Sequence, residues 1–452
     1  MAFFKLIENL REDPLLNKVV RNSAHLFSNN SLSLALSFLM GILSVRLLGA
    51  AGFGLVGLVM GYASTVNSLL SFRMSELVVR YGGEYLERDE KDKASALIKS
   101  AGLTEASVSL LAFVIVLLTS GLASQYISKT PNTAWMFGFF AIGLLANFNY
   151  ETSIGVLQIT DRIKFLGTVN LIQSIVGVTV IGLAFIWGGS VTIVLLAYLL
   201  GKTILGLGIF TLAQVQLRRV LGTSWWKAPI SSISPYRGLV RFAVSSNISA
   251  TIIKIFRESE ILWVGFFLST TEAGYYRVAY TLVSLLSVVI DPLIATVYPE
   301  LNRLIVQKAW PSLLRFLCRV PSLSFGINLA IGVGMLLFGR LALTIYGGGR
   351  EFIIAYPALL ALFFGLAFNY TLFWNRPLLL SFGLTDVPIW TTLIVGLVKV
   401  ALAFWLVPRF GIFAAGALLS YYYIASVGIM ALRGLKEIDI QSKIDQLSEQ
   451  LA

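Results

Sequence analysis

Cysteine and histidine are almost missing from this chain: one cysteine, Cys318, and one histidine, His25, in 452 residues. A lone thiol forms no internal disulfide, and the two residues together cannot assemble a Cys/His zinc site or a histidine-based triad. Charge is scarce as well, at 13% of residues, and acids are outnumbered, with 23 Asp and Glu against 35 Lys and Arg for a formal +12. That positive balance does not point to nucleic acid. The basic residues fall in short segments between apolar runs, without interleaved aromatics or a recognition module. What the chain holds instead is hydrophobic side chains, 57% of the total, with a mean hydropathy of +0.81. This is the composition of a polytopic membrane protein.

Apolar runs long enough to cross about 30 Å of hydrocarbon fall near 24–45, 52–72, 104–127, 133–156, 166–187, 190–213, 242–268, 274–297, 320–343, 353–375, 387–407 and 411–432, about twelve spans by this principle. Residues 1–21 mix charged and apolar side chains throughout, unlike a signal peptide, and read as an interfacial N-terminal helix. Basic residues mark the sides. Arg73, Arg80, Arg88, Lys91, Lys93 and Lys99 lie in the second connection, and Arg218, Arg219, Lys227, Arg237 and Arg241 in the sixth. Odd-numbered connections carry few, so even connections and both termini are expected in the cytoplasm. The tail 433–452 spaces Ile440, Ile444, Leu447 and Leu451 for a short amphipathic helix on the inner surface.

The halves resemble each other. "LGAAGFGLVGLVMGY" (48–62) and "LSTTEAGYYRVAYTL" (268–282) both place a glycine, Gly54 and Gly274, at the start of an even-numbered span, and "LQITD" (157–161) recurs as "FGLTD" (382–386). Six spans per half make a parallel repeat about an axis along the membrane normal. The expected architecture is an all-α integral membrane protein of two six-helix bundles, 22–213 and 242–432, joined by a cytoplasmic linker at 214–241 and facing each other across a cavity.

The chemistry concentrates in "IIKIFRESEILWVGFFL" (252–268), where a membrane helix carries Lys254, Arg257, Glu258 and Glu260. Intramembrane charges are costly and usually face cavities or pathways. At 100° per residue, Asn247, Thr251, Lys254, Glu258 and Gly265 share one stripe, flanked by Arg257 and Glu260, while Ile252, Phe256 and Trp263 occupy the opposite face. Lys254 with Glu258 and Arg257 with Glu260 are spaced to pair. Two readings follow: an ion-pair knot that locks the helix to a neighbour, or a cavity lining. Further charges in the spans are Glu105, Glu151, Arg277, Asp291 and Arg376, several of them near helix ends, where snorkelling is the plain explanation, whereas Lys202 and Lys399 sit deep in the sixth and eleventh spans. A cavity with Lys202, Lys254, Arg257 and Lys399 around it attracts an anion, and phosphate is the anion Arg and Lys bind best. "LLGKT" (199–203) lacks the first glycine of a phosphate loop, Leu196 standing in its place, and lies inside a span. "YGGGRE" (346–351) is a turn between spans, and His25 reads as packed or interfacial.

Taken together, "SVRLLGAAGFGLVGLVMGY", "ILWVGFFLSTTEAGYYRVAYTLVSLL", the Pro299, Glu300, Arg303 series and "GLTD" after the tenth span resemble the polysaccharide transporters. These are the Wzx-type O-antigen flippases of the multidrug/oligosaccharidyl-lipid/polysaccharide exporter superfamily. The resemblance implies translocation of an undecaprenyl-pyrophosphate-linked oligosaccharide from the inner to the outer leaflet of the cytoplasmic membrane by alternating access, for lipopolysaccharide or other surface polysaccharide. It implies no cofactor, a proton or sodium ion as coupling ion, and a polysaccharide polymerase and glycosyltransferases as partner enzymes. Where many relatives carry an aspartate in the seventh span, this chain has Glu258 and Glu260, the candidates for the coupling-ion site. The substrate-cavity candidates are Lys254, Arg257, Lys202, Lys399 and Asn247. The alternatives are a cation-coupled drug or metabolite antiporter of the same superfamily, which would prefer an acidic cavity, and a membrane-embedded glycan-processing enzyme, which would need a larger outer loop for its catalytic groups.

Overall fold

The computed structural model describes residues 14–71, 73–232, 251–252, 254–257, 259–287, 290, 297, 301–384 and 386–451. Among these residues every regular element is helical and none is a strand. That is the solution a bilayer imposes, because an intrahelical ladder satisfies backbone polar groups where water is absent. Seven helices among the described residues are long and apolar enough to cross a membrane. We label α1 Pro14–Leu70, α2 Lys91–Leu122, α3 Ala134–Ala146, α4 Tyr150–Ile159, α5 Lys164–Trp187, α6 Val191–Val220, α7 Glu260–Phe267, α8 Thr270–Ser284, α9 Trp310–Gly347, α10 Tyr356–Thr371, α11 Asn375–Ser381 and α12 Asp386–Leu451.

Two of these helices each hold two predicted spans. α1 turns at Gly49 (φ 66°) and α12 at Gly411 (φ 62°), left-handed conformations that glycine adopts without a Cβ penalty. At its start α1 runs from Pro14 straight into the first span, so the separate helix expected over 1–21 is absent from the part described, 14–21. The expected tail helix likewise continues α12 without interruption. Its Ile444 and Leu447 are more than half exposed, as an interfacial apolar face requires. The outward surfaces of the spans are apolar too, with Leu118, Trp187 and Leu337 at 70% exposure or more. In lipid such surfaces carry no penalty.

The chain forms two compact units. The first holds residues up to 47, then 66–121 and 133–248; the second holds 48–65, 122–132 and 249–452. Residues 48–65 and 122–132, expected within the N-terminal bundle, thus pack with the C-terminal half. The reason is steric fit within the second unit. A Cβ at Gly54 would collide with the Thr270 carbonyl oxygen, and one at Gly274 with the Ala50 carbonyl oxygen, so the two backbones cross at a distance only glycine permits. Arg277 in α8 donates to the Phe53 carbonyl (3.1 Å) with its guanidinium 4.3 Å from the Phe53 ring centre, and Lys129 donates to the Leu268 carbonyl (3.2 Å). In the first unit, Met74, Leu77 and Val78 of the short helical stretch after α1 bury against Leu97, Val156 and Leu217.

The internal repeat appears in the breaks of the helices. The fourth span is interrupted between α3 and α4 at 147–149 and the tenth between α10 and α11 at 372–374. Both interruptions, like Asp161 and Asp386, lie 225 positions apart. Left-handed residues recur at matching connections: Asp89 with Lys308, Lys129 with Gly348, Asp161 with Gly383, and Gly188 with Gly411.

Candidate functional site: an arginine-lined cavity in the C-terminal unit

Of the seventh span the structure describes residues 251–252, 254–257 and 259 onward; Ser259 stands in the right-handed helical region and its N–H donates to the Ile255 carbonyl (3.2 Å), yet the pairing is not the one that spacing within the span predicts. The Glu260 carboxylate is met by the Lys399 ammonium of α12 and not, as expected, by Arg257. Both partners are buried, Lys399 at 1% exposure and Glu260 at 5%. The ammonium also donates to the Phe256 carbonyl (2.7 Å) and lies 5.4 Å from the Tyr422 ring centre. Carbonyl, carboxylate and aromatic face thus surround it, which is what a buried cation requires. The pair joins the seventh span to the eleventh.

Arg257 takes another direction. Its Nε donates to the Tyr423 hydroxyl (3.0 Å), and its guanidinium lies 5.8 Å from that ring's centre. It borders a cavity of about 360 Å³ that is also lined by Asn375, Arg376, Thr392, Tyr423 and Ser426. Two arginines and several neutral hydrogen-bonding groups therefore face one space, with no acid among its described lining residues. Arginine presents a rigid planar fork of donors that matches an oxyanion. Lys254 is exposed on the same helical stretch as Arg257. Asn247 and Glu258 lie outside the described residues. Lys202 belongs to the first unit, where its ammonium sits 5.2 Å from the Phe140 ring centre and its carbonyl accepts from Asn147 (3.2 Å).

Spacing alone missed Asn375, Arg376 and Tyr423. Regular spacing places Arg376 among the further charges of the spans, at the end of the tenth, and gives it no role in the cavity. The break at 372–374 puts it on the cavity wall instead. Pro377 carried the signal: a proline ring clashes with the carbonyl four residues back, here Phe373, but is tolerated in a helix's first turn, where Pro377 stands in α11.

The matching break in the first unit is acidic. Glu105 of α2, 6% exposed, accepts from the backbone N–H groups of Glu151 (2.8 Å) and Thr152 (2.9 Å) and from the Thr152 hydroxyl (2.8 Å). It caps the free N–H groups at the start of α4. Ser75 donates to Glu151 (2.5 Å).

This architecture has relatives. The chain is 22% identical over 356 residues to the Inner membrane protein YghQ of Escherichia coli (strain K12), covering 77% of this chain and 97% of that protein. A multidrug resistance MATE family transporter of the MOP superfamily, solved in its inward-facing conformation, superposes with a TM-score of 0.72 at 14% identity over 91% of this chain and 96% of that one. The Lipid II flippase MurJ, in its inward closed conformation, superposes with a TM-score of 0.71 at 14% identity over 94% of this chain and 92% of that one. The family model described as "Polysaccharide biosynthesis protein" matches residues 19–305. A multi-pass helical chain with the fold of the MOP-superfamily transporters, it belongs to the polysaccharide biosynthesis protein family.

Proposed function

We propose that the chain is a flippase that carries an undecaprenyl-pyrophosphate-linked oligosaccharide across the bacterial inner membrane by alternating access, with both termini in the cytoplasm. One observation carries the reading: the Arg257 guanidinium, oriented by Tyr423, borders a cavity of about 360 Å³ that Arg376 also lines. A cationic space within a membrane domain suits a phosphate-bearing head group, and an antiporter of cationic drugs would need acids there. Family membership and the fold shared with a lipid flippase support the same reading. Lys254, exposed beside Arg257, assists in drawing the head group in. Glu260, already neutralised by Lys399, is the weaker of the two coupling-ion candidates, which leaves Glu258 for a proton or sodium ion.

The test is flipping of a fluorescent undecaprenyl-pyrophosphate oligosaccharide in proteoliposomes, read as protection from an external quencher or glycosidase. Arg257→Ala should abolish flipping without loss of insertion, and Arg257→Lys should restore only part of it, because an ammonium lacks the forked donor geometry. Full flipping by both Arg257→Ala and Lys254→Ala would overturn the cavity assignment.

A further inference from the structure

We infer that the first turns of α9 form a docking site for an anionic membrane phospholipid, whose phosphate is held by Arg315 and Arg319 on the lipid-facing side of the helix. The site concerns the surrounding bilayer and not the cargo, so it stands apart from the flippase reading.

The face that α9 turns to lipid can be followed along its length. Phe325, Leu329, Val333 and Leu337 share one side of the helix and are 47–70% exposed. Counted back at 100° per residue, Arg319 and Arg315 continue that stripe, and both are exposed. The apolar run of this span begins near 320, so Arg319 stands at the edge of the hydrocarbon and Arg315 about 6 Å further out. A headgroup layer is roughly 5–7 Å thick on each side of the bilayer. The two guanidinium groups therefore span the depth at which lipid phosphates lie.

Basic residues flank many membrane helices; what sets this pair apart is the want of a counter-charge. Elsewhere on the basic connections and the tail, Arg73 pairs with Glu76 (2.9 Å), Arg88 with Glu84 (2.7 Å) and Lys443 with Asp439 (2.6 Å). Arg218 and Arg219 end α6, where the negative pole of the helix favours a cation. Arg315 donates only to the Pro311 carbonyl (3.3 Å) and the Ser312 hydroxyl (3.2 Å) of the first turn of its own helix, and Arg319 donates to none of the described residues. The acid at this end of α9, Asp445, already accepts from Lys308 (2.6 Å) and the Trp310 indole (3.0 Å). Two guanidinium groups thus stand one turn apart, beside the positive end of a helix, with an apolar track running away from them into the bilayer. A phospholipid offers an anion and an apolar body in that order. Inorganic phosphate lacks the body, and an acidic soluble protein cannot follow the track into hydrocarbon. On the expected topology the site faces the inner leaflet, whose anionic lipids attract such clusters.

The chain's only cysteine serves as the reporter, because Cys318 is exposed and lies between the two arginines in the sequence. The full chain, carrying a fluorophore at Cys318, is placed in nanodiscs of equal parts phosphatidylglycerol and phosphatidylcholine, with bromine on the chains of one lipid or of the other. Bromine quenches on contact, so the ratio of quenching reads the relative occupancy of the two lipids beside α9. Phosphatidylglycerol should be preferred about tenfold or more, since each arginine near the surface contributes about fivefold. Arg315→Gln and Arg319→Gln should each lower the preference about fivefold, and the two together should remove it. Lysine at both positions should keep most of it, because the attraction is one of charge. Both side chains are exposed, so these variants should fold; should one fail to, the comparison of lipids on the unaltered chain decides. Equal quenching by the two lipids overturns the proposal, as does a preference that survives the double glutamine variant. A response to inorganic phosphate in discs of phosphatidylcholine, without any preference between lipids, would make the occupant a free anion and overturns it too. Native mass spectrometry of the unlabelled chain should find phosphatidylglycerol retained and the double glutamine variant stripped of it; equal retention by both chains counts against the site.

Discussion

At the scale of single residues, the buried Lys399–Glu260 pair makes the sharpest prediction. Removing one member leaves an uncompensated charge in the interior, at a cost of about 3–5 kcal/mol, whereas replacing both by apolar residues is often neutral. Lys399→Met and Glu260→Leu should each lower the thermal unfolding midpoint of the purified chain, and the double variant should recover most of the loss. Additive losses would show that the two groups do not pair. The pair also shows how far sequence reasoning reaches. The seventh span's cluster of charges is plain in "KIFRESE", and one of its two readings, a knot between helices, describes Glu260 and Lys399, while the other describes Arg257 on its cavity. Which residue took which part depended on Lys399, a partner 139 positions away on α12. Periodicity within one span cannot supply such a partner.

At the scale of elements, the close approach of Gly54 and Gly274 tests the packing of the second unit. Each lies where a Cβ would strike the opposing backbone, and backbone cannot yield as a side-chain tip can. Gly274→Ala should therefore lower the unfolding midpoint measurably. Gly334→Ala, in open space within α9, should cause no loss, since alanine favours the helix by about 0.5–1 kcal/mol. Equal effects of the two substitutions would refute the contact. The glycines themselves were legible as a repeated motif, as were nearly all the long helices, whose apolar runs are unmistakable. The break in the fourth span was not. Asn147 and Asn149 flank it without a proline, and its capping carboxylate, Glu105, comes from a helix more than forty positions earlier in the chain, a tertiary partner that no local pattern announces.

At the scale of the whole molecule, the distribution of basic residues predicts which faces are wet on which side. Cysteine placed at Ser232 in a chain lacking Cys318 should resist a membrane-impermeant thiol reagent applied from outside, while cysteine at Ser190 should react. The reverse pattern would invert the topology. The two interrupted spans carry a further implication, about how charge is displayed. Their breaks stand at the same offset as the repeated aspartates, 225 positions apart, so each half opens a helix at the same register. The second residue after each break is Glu151 in one half and Arg376 in the other. One kind of backbone opening thus serves two opposite chemistries, and a single substitution at that position is enough to change the sign of the charge a half presents there.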